Sequence, residues 1–235
     1  MTKPGILSFG IGGAGLVCAA LAPLARTRQA WLLAWTALSC FLVAWAYAAN
    51  RPELFGKVEG RMDPVRQLVL LPYLVAFRVG CWIIARVRRL APVDQVSPGL
   101  YVGGRIDARA IPHEVDLVID LIAELPAPRD VRERAGYRCF PVLDGHHPRD
   151  LDAFLDLVVE TAAAERPVLI HCESGVGRAP SAAAVLLVAR GLVPDPESAV
   201  ELMAKRRPRI HPTRSDWEFM RRAHARLRER NGDLG

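Results

Sequence analysis

A cysteine and an arginine separated by five residues, two of them glycine, stand in the segment His171-Cys172-Glu173-Ser174-Gly175-Val176-Gly177-Arg178. That spacing suits a loop that cradles phosphate. Glycine lets the backbone turn so that the N–H groups of Glu173, Ser174, Gly175, Val176 and Gly177 can point inward at one anion. The planar fork of Arg178 can grip two equatorial phosphate oxygens, and a thiolate at Cys172 would lie below phosphorus, in line for attack. A buried cysteine followed by an ordinary turn is the plainer alternative, since cysteine is often just a small hydrophobe. The order of the flanking elements weighs against it.

Pro167-Val168-Leu169-Ile170 is a short apolar run of the kind that forms a buried strand, and Ser181 to Arg190 is rich in Ala and Val and stops before Gly191, as a helix does. The loop is therefore expected at a helix N-terminus, where unpaired N–H groups and the positive end of the dipole favour an anion, thiolate or phosphate. On these residues the segment resembles the cysteine-dependent protein tyrosine phosphatase superfamily, in particular its small dual-specificity branch, whose signature is His-Cys-x-x-Gly-x-x-Arg followed by Ser or Thr. Every fixed position but the last matches. Ala179 stands where the resembling enzymes carry a hydroxyl that helps the cysteine leave as thiolate when the phosphocysteine is hydrolysed. The resemblance covers about Val93 to Glu229. It implies an α/β domain with a central sheet flanked by helices, Cys172 as nucleophile, and residues 173–178 as the phosphate-binding loop. His171 would support that loop, its ring hydrogen-bonding the backbone and helping to keep Cys172 ionised.

A phosphatase also needs a proton donor, because an alkoxide or phenoxide leaves badly unprotonated. Asp144 is the chosen acid. It follows an apolar strand in Pro141-Val142-Leu143-Asp144-Gly145, with Gly145 as a hinge, 28 residues before Cys172. The resembling phosphatases place their acid aspartate after the corresponding strand at a similar distance. Asp150 and Asp152 compete, but Pro148-Arg149-Asp150-Leu151 reads as a helix start with Asp150 as its cap. His146 and His147 could contact substrate or simply be solvated. The spacing of cysteines and carboxylates completes no metal site, and neither metal nor cofactor is called for. Arg207-Pro208-Arg209 resembles the Arg-Pro segment that supports the active-site loop from behind in this family. Asp216 occupies the region where many relatives carry a glutamine, and no water-positioning role is assigned to it.

The elements that must hold these residues alternate from Val93 onward, as one α/β domain over 93–230 would. Strands are expected at Leu100–Val102, Asp116–Ile122, Tyr137–Leu143 and Val168–His171. Leu151, Phe154, Leu155, Val158 and Val159 recur at helical spacing and should bury one helix face. Helices over Glu197–Arg206 and Ser215–Glu229 complete the domain.

Residues 1–90 have another character. Ile6 to Ala25 and Ala30 to Ala49 are nearly all apolar, each about the ~20 residues needed to span a bilayer, so two transmembrane helices are expected. Trp31, Trp35, Trp45 and Tyr47 suit the membrane interface. A signal peptide would have a shorter apolar region, and a second span follows at once, so a retained anchor is favoured. Leu68 to Ala85 is a third apolar segment interrupted by Pro72 and Arg78; an arginine at mid-bilayer costs roughly 2.5–3.5 kcal/mol, which favours an interfacial position. Arg86, Arg88 and Arg89 follow, which by the positive-inside tendency puts the catalytic domain in the cytoplasm. The remaining Lys and Arg count leans to two spans over three. Cys18, Cys40 and Cys81 lie in apolar stretches, so no disulfide framework is present and a reducing cytoplasm would keep Cys172 available. The net charge of +6 and pI of 9.4 fit a basic face on anionic lipid, though basic solvated surfaces are common. Gly10-Ile11-Gly12-Gly13-Ala14-Gly15 matches a dinucleotide-binding pattern, yet no βαβ unit surrounds it; small residues letting two membrane helices approach explain it better.

The sequence thus points to a multi-pass, cytoplasm-facing phosphatase working through a phosphocysteine on a phosphorylated protein or a phospholipid, with no nucleic-acid partner. A phosphate-binding module that turns over poorly is the alternative, motivated by Ala179. Sulfur transfer of rhodanese type would give Asp144 no task. Glu173, with no lysine in the loop, argues against multiply phosphorylated inositides.

Overall fold

Runs of apolar residues long enough for a bilayer form the first two helices, α1 (Lys3–Leu21) and α2 (Thr27–Ala48). The computed structural model describes residues 3–88, 91–134 and 136–232. After α2 come a hairpin of β1 (Lys57–Val58) and β2 (Arg61–Met62), then α3 (Pro64–Val69) and α4 (Leu71–Arg88). The chain continues through β3 (Val93–Ser97), β4 (Leu100–Gly103), β5 (Leu117–Ile122), α5 (Arg129–Arg132), β6 (Tyr137–Val142), α6 (Leu151–Ala163) and β7 (Val168–His171). It closes with α7 (Arg178–Ala189), α8 (Pro196–Ala204) and α9 (Arg214–Gly232). These elements form two units. The first comprises Met1–Arg88 with two short segments from later in the chain, Ala123–Pro126 and Leu143–His146; the second holds the rest.

In the first unit, Gly5–Leu24 and Thr27–Ala48 are long and apolar enough to cross a membrane, with mean hydropathy 1.9 and 1.6. The glycine-rich stretch of α1 serves helix contact. A Cβ on Gly15 would come within 3.0 Å of the Phe41 ring and 3.1 Å of Cys40 Cβ, and Gly12 faces Ala44, so small residues let α1 and α2 approach closely. Ser8 Oγ donates to the Ala44 carbonyl at 2.7 Å across the same seam. The third apolar segment is broken at Leu70, where α3, capped by the Asp63 side chain, gives way to α4 with Pro72 in its first turn. Tyr73 and Leu74 are buried, whereas Val75, Arg78, Val79, Trp82 and Ile83 are exposed, an apolar and basic outer face. Arg89 and Leu90, the end of the expected anchor region, lie outside the described residues.

The second unit is a mixed α/β fold, a central sheet flanked by helices, with strand order β3-β4-β7-β5-β6. β4, β7, β5 and β6 run parallel and β3 pairs antiparallel with β4 at the edge. Parallel strands covered on both faces read as continuous apolar runs, which is why every residue of β5 and β7 is buried. Leu117, Ile119 and Leu121 face Phe154, Leu155 and Val158 of α6 and the alanines of α7, while Val118 and Leu169 face Ile106, Ile111 and Val131. Two expectations need correcting. β3 was not expected: its partly exposed edge leaves Val93-Asp94-Gln95-Val96-Ser97 without an apolar run. Val159 of α6 is exposed, because four residues per heptad suffice to cover the sheet.

Candidate active site

β7 sits between β4 and β5, so the chain leaving it emerges from the middle of the sheet. Cys172 is the first residue out; its N–H donates to the Gly103 carbonyl at 3.2 Å and its side chain is 2% exposed. The Gly175 N–H donates to Cys172 Sγ at 3.3 Å. The carbonyls on the outside of the loop explain that direction. The Glu173 carbonyl accepts from Arg105 N–H at 2.9 Å, the Ser174 carbonyl from Arg207 Nη2 at 3.4 Å, and the Gly175 carbonyl from Arg207 Nε at 2.8 Å. Across a trans peptide the next N–H points the opposite way, so the amides of Ser174, Gly175 and Val176 turn toward the sulfur side. The Glu173 carboxylate lies 4.0 Å from the Arg105 guanidinium, which offsets a negative charge beside an anion site.

Arg207 is the brace. Its side chain is 4% exposed, and it is held in turn by the Asp94 carboxylate at 2.5 Å and by the Ala91 carbonyl at 3.2 Å. Gly175 has φ +66°, and a Cβ there would meet Gly103 backbone and Arg207 Nη2 at 2.6 Å. Gly175→Ala is therefore expected to disrupt the cradle: the left-handed conformation alone costs a side chain about 1–2 kcal/mol, and the contacts add to it. Phosphatase assays should give a kcat/KM roughly 10–100-fold lower, from loss of one or more oriented donors; an unchanged value would deny the loop its role.

Helix α7 begins at Arg178, three residues earlier than the expected Ser181, since Pro180 is tolerated in a first turn and Gly177 supplies the break with φ −118° and ψ −82°. Arg178 is buried. Its Nη1 donates to the Val142 carbonyl at 2.5 Å and the Leu121 carbonyl at 3.5 Å, the ends of β6 and β5, which fixes the guanidinium plane. Ala179, next on the helix, is wholly buried.

His171, also buried, has Nε2 3.8 Å from Asp120 Oδ1. Asp120 accepts from the Ile122 N–H at 2.8 Å and from the Tyr137 hydroxyl at 2.7 Å. Burial first, and the Asp120 carboxylate after it, push the Tyr137 hydroxyl well above its usual range, so it remains a donor. Sequence reasoning overlooked Asp120 and Tyr137, although a carboxylate within Leu117-Val118-Ile119-Asp120-Leu121-Ile122 was the available signal. Asp216 and Thr213 make a reciprocal helix cap. Asp216 Oδ2 accepts from Thr213 N–H at 2.7 Å, and the Asp216 N–H donates to Thr213 Oγ1 at 3.3 Å. Asp216 Oδ1 also accepts from Ser181 Oγ at 3.4 Å. His147 stacks on Phe219, with ring centroids 4.7 Å apart.

Asp144 falls in the first unit, in a turn where the His146 N–H donates to the Leu143 carbonyl at 3.0 Å and Gly145 has φ +76°. Its backbone N–H donates to Glu124 Oε1 at 2.5 Å. Asp150 caps α6, accepting from the Ala153 N–H, and Asp152 is held by Arg230 and then Arg226, whose hydrogen bonds keep its carboxyl below the usual range. The structure thus brings together Cys172, the loop 173–178 and His171 in the second unit, and gives both rival aspartates other partners.

Residues 103–227 match the family described as PTP-SAK, Swiss Army Knife protein, DSP-PTPase phosphatase domain. Among solved structures, PTPMT1 in complex with PI(5)P superposes with TM-score 0.52 at 18% identity, over 60% of this chain and 99% of that one. Human DUSP28 gives 0.49 at 18% identity, over 59% and 96%, and Tk-PTP in its active form 0.49 at 22%, over 57% and 97%. No curated protein sequence matches the chain.

Proposed function

The chain belongs to the DSP-PTPase phosphatase family, and from that premise we propose that it is a membrane-anchored phosphatase hydrolysing phosphomonoesters through a phosphocysteine. The observation that carries this reading is the loop itself: an amide aimed at the Cys172 sulfur at 3.3 Å, with its carbonyls drawn outward by Arg207 and Arg105. In the first step Cys172 Sγ attacks phosphorus as the bond to the leaving oxygen breaks, and Asp144 protonates that oxygen. In the second, Asp144 takes a proton from water, the water oxygen attacks phosphorus, the S–P bond breaks and phosphate departs. Arg178 and the loop amides stabilise the equatorial oxygens in both steps.

Membrane attachment is supported by Gly5–Leu24 and Thr27–Ala48, and by the outer face of α4, where the Arg86 guanidinium lies 5.0 Å from the Trp82 ring centroid, as at an interface with lipid head groups. By the positive-inside tendency, Arg86 and Arg88 support a cytoplasmic position for the catalytic residues. Such an anchor holds the site at the bilayer surface, where its substrates are phospholipids or membrane phosphoproteins; PTPMT1, of the same fold, was solved with PI(5)P. A single loop arginine and the Glu173–Arg105 pair favour one phosphate group over several.

Buried Ala179 motivates the second reading, a module that forms phosphocysteine and stalls. Ala179→Ser is expected to speed hydrolysis, since a hydroxyl there can donate to the departing thiolate, a charge-assisted bond worth roughly 1.5–3 kcal/mol, or about one to two powers of ten in that step. Rapid-quench kinetics should show a burst of leaving group in the wild type that shrinks in the variant. No burst, together with unchanged turnover in the variant, would remove the stalled-module reading; no trappable phosphocysteine in either protein would remove the mechanism.

A further inference from the structure

Glu124 lies two residues beyond β5 with its side chain wholly buried. One oxygen, Oε1, receives two donors, the backbone N–H of Asp144 at 2.5 Å and the hydroxyl of Tyr47 at 2.9 Å. Tyr47 is in the last turn of α2, is 1% exposed, and shares its hydroxyl with that of Tyr73 on α4 at 3.3 Å. The Tyr47 ring also meets His146, two residues past Asp144, with centroids 5.9 Å apart. Tyr73 is locked by ring contacts to Phe55 and Phe77.

A carboxylate in an apolar interior is tolerable only where hydrogen bonds replace its water, so the donors on Glu124 hold each other in place. The bond to the Asp144 N–H fixes the peptide from which the Asp144 side chain departs, and the Tyr47 ring closes the far side of the same turn. Tyr47 belongs to α2, before the hairpin, and Tyr73 to α4, beyond the hairpin and α3, so the aspartate turn is keyed to the N-terminal helices, not to a surface loop of its own.

We propose that Glu124, oriented by Tyr47, is a positioning residue that sets the direction of Asp144, so that the C-terminal end of α2 helps to orient the residue read as the general acid. This rests on the reading of Asp144 as the general acid. A proton donor must reach the leaving oxygen at hydrogen-bond distance, and a shift of about 1 Å in such a group can cost ~10²-fold. The leaving oxygen of an activated aryl phosphate needs no proton, so kcat/KM on such a substrate, which excludes the later hydrolysis, would not register the shift. The N-terminal helices would then influence only the steps that use Asp144.

The full chain in lipid nanodiscs, assayed on an aryl phosphate with an acidic leaving group and on an alkyl phosphate, tests this. Read as kcat/KM, which reports only the steps up to departure of the leaving oxygen, Asp144→Asn should slow the alkyl substrate about 10²-fold or more and the aryl substrate far less. Glu124→Ala should lose about 10–100-fold on the alkyl substrate alone, and Tyr47→Phe about 3–10-fold, from a looser turn. Glu124→Gln, which keeps an acceptor oxygen, should recover most of the loss, and Glu124→Ala added to Asp144→Asn should cost nothing further. If Glu124→Ala does not fold, Tyr47→Phe, which removes one hydroxyl, decides. Equal losses on both substrates, or none, in the Glu124 and Tyr47 variants while Asp144→Asn stays selective would overturn the positioning role and leave the acid in place. A non-selective Asp144→Asn would remove both.

Discussion

Replacing Cys172 by serine is expected to lower release of phosphate from a small aryl phosphate by about 10⁵-fold or more, the scale on which loss of a covalent nucleophile registers. The substituted hydroxyl, slightly smaller than the thiol, can still accept from the Gly175 N–H, which lies 3.3 Å from the present sulfur. It cannot supply the anion: an alcohol at neutral pH is protonated, and no neighbouring side chain in the proposed mechanism serves as its base. The cradle itself should survive, because the loop is shaped by Arg207, Arg105 and the Gly103 carbonyl and not by the sulfur. Cys172→Ser should therefore still bind a phosphorylated ligand while turning it over hardly at all. Phosphate release measured in parallel with and without a chelator separates this from metal-assisted hydrolysis, since Arg178 and the amides neutralise the phosphoryl oxygens and chelation should change nothing. Near wild-type turnover in the serine variant, or activity lost to chelator, would end the cysteine mechanism.

The residues of the loop were legible in the sequence because their relation is local. Cys172 to Arg178 spans one turn between a strand and a helix, so spacing alone fixes what faces what, and Gly175 and Gly177 mark where the chain must bend. The helix begins three residues before the expected Ser181, since Pro180 is tolerated in its first turn. The partners that shape the loop were not legible in the same way. The brace from Arg207 was suggested only by its Arg-Pro context, and its hold on Asp94 crosses 113 residues to a strand too exposed to show a pattern. Asp120 and Glu124 sit in or just beyond an apolar strand, where periodicity asks for hydrophobes; their partners, Tyr137 and Tyr47, lie 17 and 77 positions away. Buried polar pairs of this kind are set by the fold that encloses them, and a sequence announces them only as an exception to its apolar pattern. The same reasoning explains why Ala123–Pro126 and Leu143–His146, which the sequence assigns to the α/β domain over 93–230, group with the N-terminal helices: Tyr47 supplies the donor that Glu124 needs.

Arg178→Lys is expected to cost about 10³-fold in kcat/KM even though the charge is kept, from loss of oriented donors to the transferring phosphoryl group. The guanidinium performs two tasks at once. Its Nη1 is engaged by the Val142 carbonyl at 2.5 Å and the Leu121 carbonyl at 3.5 Å, and these bonds set the plane in which its other edge can meet two phosphate oxygens. A lysine ammonium is a single point of charge on a flexible stem. It can satisfy the strand-end carbonyls or reach toward phosphate, and burial of the site makes the first strongly favoured, because carbonyls left without donors there are costly. The loss should fall equally on aryl and alkyl phosphates, since the equatorial oxygens are the same in both; this separates Arg178 from Asp144, whose variant discriminates between leaving groups. Binding of a tetrahedral or trigonal-bipyramidal oxyanion inhibitor should weaken in step with kcat/KM, as it would for a group that acts on the phosphoryl oxygens in the transition state. A lysine variant within tenfold of wild type, with inhibitor affinity unchanged, would show that the amides of residues 173–177 hold the phosphoryl group unaided and that Arg178 serves only to join β5 and β6 to α7.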